Sequence, residues 1–124
     1  MVFDILFLIG RILVGGFYII SGFNHFSKKK FIAEYAKSKS IPLPELSVIV
    51  SGLFLIIGGL SFLFGIYPYM GVILISLFLI LASLFVHNFW AVPKKQKISE
   101  MSNFMRNMVL LGSLLMFLRI PLPW

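Results

Sequence analysis

An all-α membrane protein, built as a bundle of four transmembrane helices, is predicted from three observations. Of the 124 residues, 60% are hydrophobic and only 12% charged, whereas a soluble domain carries roughly 25% charged residues. The mean hydropathy of +1.02 makes lipid the natural solvent. Apolar runs recur four times, at 5–26, 46–66, 70–90 and 104–120, each near the roughly 20 residues that cross a hydrocarbon core as a helix. Backbone groups left unpaired in lipid are too costly for any open structure. Residues 1–124 therefore form one integral membrane domain.

Each element follows from the residues around it. The opening stretch "MVFDILFLIGR" has no basic leader and is interrupted by Arg11, so it reads as a retained first helix rather than a signal peptide. Loop one, "SKKKFIAEYAKSKSIPLPE", sets Phe31, Ile32, Tyr35 and Ala36 at helical spacing among lysines. That pattern predicts a short amphipathic helix on an anionic membrane surface. Only "YPY" separates the second run from the third. Pro68 suits a first helical turn, so these two runs form an antiparallel hairpin. Lys28, Lys29, Lys30, Lys37 and Lys39 fall in loop one and Lys94, Lys95 and Lys97 in loop three, against Arg119 alone near the opposite edge. By the positive-inside rule both loops are cytoplasmic and both termini face outward.

Composition also excludes chemistry. The net charge of +7 flanks apolar runs, as in the cytoplasmic loops of membrane proteins, so nucleic acid is not the expected partner. With no cysteine there are no disulfides, thiolate metal sites or thiol nucleophiles. Two histidines without an intramembrane acid fall short of a metal ligand set, and no metal is expected.

The candidate site comes from polar residues at matching depth. Arg11, Gly15, Tyr18, Gly22 and His25 are spaced as one stripe of the first helix, since residues three and four apart share a face. Ser76, Ser83 and His87 share a face of the third, and Asn103 and Asn107 of the fourth, beside Arg106. The expected ligand-binding residues are Arg11, Tyr18, His25, Ser83, His87, Asn103, Arg106 and Asn107; none is assigned a catalytic role. Arg11 lies roughly 9 Å into the core by helical rise. Asp4, Glu34, Glu45 and Glu100 all fall outside the runs, so Arg11 is expected to meet carbonyls, water or a ligand rather than a buried acid. One elongated cleft is expected, with Arg11 at its outer end and His25 and His87 at its inner end.

The same residues resemble the DoxX family. The pattern "RILVGGFYIISGFNHF" is similar to that family's first helix, and "FIAEYAKSKSIPLP" to its loop with an aromatic pair and Pro-x-Pro. "SGLFLIIGGL" resembles its second helix, and "HNFW" followed by "NFMRNMVLLG" its third-helix end and fourth-helix start. The resemblance implies a four-helix bacterial or archaeal membrane protein that works with redox partners. Relatives include a small subunit of thiosulfate:quinone oxidoreductase, and a member that assembles with superoxide dismutase and a sulfurtransferase-like protein. Leu55 stands where many members carry Glu, and His25 where Lys is common.

The expected function is accessory: a membrane subunit that interacts with a quinone or lipid and docks a soluble or membrane oxidoreductase partner. No intrinsic cofactor is expected, a bound quinone or lipid being the only guest. A scaffold or assembly factor without chemistry of its own, and a small carrier for an organic anion or lipid, stay open as alternatives, as does a homo-oligomer. The expected location is the bacterial or archaeal cytoplasmic membrane.

Overall fold

The computed structural model describes all 124 residues as a helical protein without strands. Helix α1 spans Val2–Ser27, α2 Lys29–Ser38, α3 Pro44–Phe64, α4 Pro68–Leu81 and α5 Lys94–Phe117. A π turn, Ala82–Val86, and a 3₁₀ turn, Phe89–Ala91, join α4 to α5. Three stretches, Val2–Ser27, Pro44–Phe64 and Pro68–Ala91, are long and apolar enough to cross a membrane. Large apolar side chains such as Leu13, Phe17 and Ile73 face outward, as lipid contact requires. The lysine-bearing loops share one end, called here the basic end.

Helix α3 is the axis of the molecule, packing against α1, α2 and α4, while α5 packs on α4. Its crossing with α1 depends on facing glycines. A Cβ at Gly15 would stand 2.8 Å from the Gly59 carbonyl oxygen, and one at Gly59 2.7 Å from that of Gly15. Gly22 meets Gly52 in the same register one stripe along, where its Cβ would stand 2.7 Å from the Gly52 oxygen. Without hydrophobic drive between helices in lipid, such close backbone approach supplies the dispersion contacts that hold them together. A single core cluster then joins Tyr18, Leu55, Phe62, Val72, Ile75, Leu79 and Leu114 from four helices.

The α3–α4 hairpin forms as expected, with Pro68 in the first turn of α4. Gly65 closes α3 in the left-handed region at φ 69°, which a residue without Cβ adopts at no steric cost. The loop-one helix is also present as α2. It lays Ala33 and Ala36 against the bundle and leaves Phe31 exposed.

Two boundaries differ from expectation by more than three residues. The α5 helix starts at Lys94, ten residues before the apolar run that marked it. Lys, Gln, Glu and Met are good helix formers, so charge ends the hydropathy signal without ending the helix. The third run does not continue to Trp90 as an α-helix. It widens at Ala82, where the His87 N–H bonds the Ala82 carbonyl at 2.9 Å, and leaves helical geometry at His87 and Asn88. Lys39, just past α2, and Glu100 on α5 hold both of those side chains, so tertiary contacts override the helix.

Candidate functional site

Arg11 reaches across from α1 to the end of α3. Its Nε donates to the Phe62 carbonyl at 3.0 Å and its Nη2 to the Leu63 carbonyl at 2.8 Å. The last carbonyls of a helix have no partner within it, and a cation there also opposes the negative end of the helix dipole. Arg11 thus caps α3, with the Gly65 and Ile66 N–H groups covering the Ser61 carbonyl beside it.

Beside Arg11 lies a cavity of about 150 Å³, walled by Phe7, Gly10, Val14, Phe62, Phe117, Ile120 and Trp124. Trp124 stacks on Phe62 at 5.8 Å and meets Phe7 and Phe117 edge-on at 5.5 and 5.8 Å. The wall is almost all carbon. A cavity of this size and lining can hold a small aromatic ring or a short hydrocarbon segment. It sits at the Arg11 end, and neither histidine lines it, so it is not the elongated cleft expected between Arg11 and the histidines.

The basic end holds a cluster of a different kind, centred on Glu100. Contrary to expectation an acid is buried: Glu100 is 6% exposed on the inward face of α5. Its Oε1 accepts from the Tyr35 hydroxyl, and its Oε2 faces Nδ1 of His87 at 2.7 Å. Lys39 Nζ stands 4.0 Å from Oε1 and donates to Asn88 Oδ1 at 3.3 Å. One carboxylate therefore joins α2, the α4–α5 connection and α5. Burial pushes the Glu100 carboxyl up, but hydrogen bonds from Tyr35 and His87, with the charges of His87 and Lys39, outweigh it and hold the group below the usual carboxylate range. Burial, then the bond to Glu100 and its negative charge, raise the Tyr35 phenol.

The remaining expected site residues are dispersed. Tyr18 is 2% exposed in the core and its hydroxyl has no partner; Ser83, fully buried in the π turn, likewise. His25 bonds its own helix, Nδ1 to the Ser21 carbonyl at 2.9 Å, and meets Phe78 edge-on. Asn103 and Asn107 are half-buried and Arg106 is exposed, while Phe104 packs edge-on against Phe89 and Trp90. Of the eight residues, only His87 belongs to the Glu100 cluster and only Arg11 to the cavity.

Tyr35, Lys39 and Glu100 are the residues that sequence reasoning missed. A signal existed: Glu100, Asn103 and Asn107 are spaced 3 and 4 apart, and the stripe runs on to buried Leu114. Extending the inward face of α5 back past its first apolar residue leads to Glu100.

Apolar helices of spanning length, lipid-like outer faces and a glycine-lined helix crossing define an integral, multi-pass α-helical membrane protein. Residues 6–88, more than half of the chain, match the DoxX family, and the chain belongs to it. Neither the curated proteins nor the solved structures offer a match.

Proposed function

We propose that this DoxX-family protein is an accessory subunit of a membrane oxidoreductase system and holds an apolar segment of a quinone or lipid. The observation that carries this reading is the aromatic-walled cavity beside Arg11. With a carbon lining it favours an isoprenoid or acyl segment over an oxyanion, which would need more donors than Arg11 has left. In this reading the apolar run 104–120, most of it in α5, is the fourth span, the basic end is cytoplasmic, and both termini lie outside a bacterial or archaeal cytoplasmic membrane. The eight lysines at one end support that orientation. The scaffold alternative draws on one observation, that Arg11 and Glu100 both bind partners within the chain.

Two experiments test the reading. Because the chain has no cysteine, Ser38→Cys and Tyr69→Cys report orientation cleanly. In intact cells an impermeant maleimide should label the second and not the first. For the guest, Gly10→Leu is informative, because a Cβ at Gly10 meets nothing within 4 Å and the larger side chain fills the cavity. Native mass spectrometry after mild detergent extraction should find quinone or lipid on the parent protein and less on this variant. Equal retention by both would leave the scaffold.

A further inference from the structure

We infer that His87 and Glu100 form an acid–base site at the basic end, in which His87 Nε2 exchanges protons with molecules at that face and Glu100 positions the ring. Neither residue lines the cavity beside Arg11.

The two histidines provide an internal comparison. His25 directs Nδ1 at the Ser21 carbonyl at 2.9 Å, and His87 directs Nδ1 at the Glu100 carboxylate at 2.7 Å. Carbonyl and carboxylate oxygens only accept, so both rings carry a proton on Nδ1, and Nε2 is the nitrogen left to gain or lose one. The acceptors differ in charge. An anion at Nδ1–H stabilises the imidazolium formed when Nε2 takes a proton, which is how a carboxylate serves a catalytic imidazole. The arriving proton stays on Nε2 and leaves from it. Glu100 remains ionised throughout.

The cluster divides the two carboxylate oxygens between tasks. Tyr35 from α2 and Lys39 just past its end approach Oε1, and His87 has Oε2 to itself. Anchoring α2 requires only the first oxygen. Exposure divides similarly: the Glu100 side chain is 8% exposed and that of His87 21%. The carboxylate is sealed and the ring reaches the surface. The π turn that delivers His87 is a rare conformation, found disproportionately at functional positions. Tyr35 from α2, Lys39 just past its end and Glu100 from α5 are the ionisable groups bonded into the cluster with His87, and Asn88 is its neutral member.

Diethyl pyrocarbonate acylates the open nitrogen of a neutral imidazole, and mass spectrometry of the detergent-solubilised full chain can follow His25 and His87 separately. At about pH 9, where free imidazole is neutral, His87 should react roughly threefold or more faster than His25, because the carboxylate makes its Nε2 the better nucleophile. Glu100→Gln keeps the shape and removes the charge, and should bring the two rates together. Tyr35→Phe leaves the pair intact and should keep His87 fast. Unfolding of a variant would accelerate both histidines, the opposite of the fall expected for Glu100→Gln. Equal rates in the parent protein, or an unchanged His87 rate in Glu100→Gln, would overturn the assignment.

Discussion

Arg11 and Glu100 are ionised groups drawn into an apolar bundle at its two ends, and they are stabilised in opposite ways. Arg11 meets no counter-charge; its two hydrogen bonds go to the carbonyls of a single helix end. Glu100 is met by a phenol, an imidazole and an ammonium from two other parts of the chain. The difference follows from what each end lacks. A helix C-terminus is already a partial negative charge with unpaired acceptors, so a guanidinium there needs no acid. A buried carboxylate has no such ready partner and must gather donors from side chains. Arg11 therefore joins two helices, whereas Glu100 sets the position of three segments at once.

The comparison makes a ranking that mutation can break. Glu100→Ala should have the largest effect, because it leaves Lys39 and His87 half-buried without their anion. Breaking a buried ion pair costs about 3–5 kcal/mol. Denaturant unfolding in detergent, followed by circular dichroism, measures it. Arg11→Leu should cost less, about 1–3 kcal/mol, since it strands neutral carbonyls rather than charges. If Arg11→Leu proves the more damaging, the counter-charge argument fails. Arg11→Lys should recover only part of the loss, as an ammonium cannot present the guanidinium fork to two carbonyls.

Acidity separates the two ends further. The folded Glu100 carboxyl lies below its ordinary value, so folded protein binds fewer protons there than unfolded chain. Its stabilisation is present above the unfolded value and is lost as pH falls through the folded one. The parent protein should therefore lose thermal stability on acidification below the usual carboxylate range. Glu100→Gln should lose less over that range, and Arg11→Leu should keep the parental slope. On the alkaline side the raised Tyr35 phenol gives the reverse sign. Its contribution is complete below the unfolded value near 10 and declines as pH rises toward the folded one.

The two ends were also unequally legible in the sequence. A lone arginine within an apolar run is conspicuous, and the absence of acids in the runs pointed Arg11 toward carbonyls among other partners. The stripe that carries Gly15 and Gly22 was readable for the same reason, because helical spacing in apolar sequence has few meanings. Glu100 was hidden because "KKQKISE" looks like a solvated loop. Nothing in its composition says that a helix begins at Lys94 or that one of its faces turns inward. The break at His87 was equally concealed, since it depends on partners 13 and 49 residues away from His87 and Asn88. Local pattern carries the spans; long-range pairing carries the cluster.

A moderate effect should come from Tyr35→Phe. It removes one donor from a carboxylate that keeps His87 and Lys39, so the loss should be about 1 kcal/mol. The more telling measurement is the mobility of α2, whose other attachments are Ala33 and Ala36 against the bundle and Lys39 bonded to Asn88. A spin label at Ser38 should become more mobile in Tyr35→Phe. An unchanged spectrum would mean that small-residue packing alone holds α2.

The smallest effect should come from His25→Phe. His25 resembles His87 in sequence, standing near the end of an apolar run beside a lysine loop, yet its bond runs to its own helix four residues back. That carbonyl already accepts from the helix ladder, so losing the imidazole leaves no orphan. The edge-on contact with Phe78 at 5.7 Å can be kept by another aromatic ring. Stability should change by less than about 1 kcal/mol. In the parallel variant, His87→Phe, the ring is retained but the donor to Oε2 is lost, and the cost should approach that of a charged hydrogen bond, about 1.5–3 kcal/mol. Unfolding both variants under one condition isolates the acceptor as the variable. A difference near zero would show that the Glu100 carboxylate does no more for His87 than a backbone carbonyl does for His25.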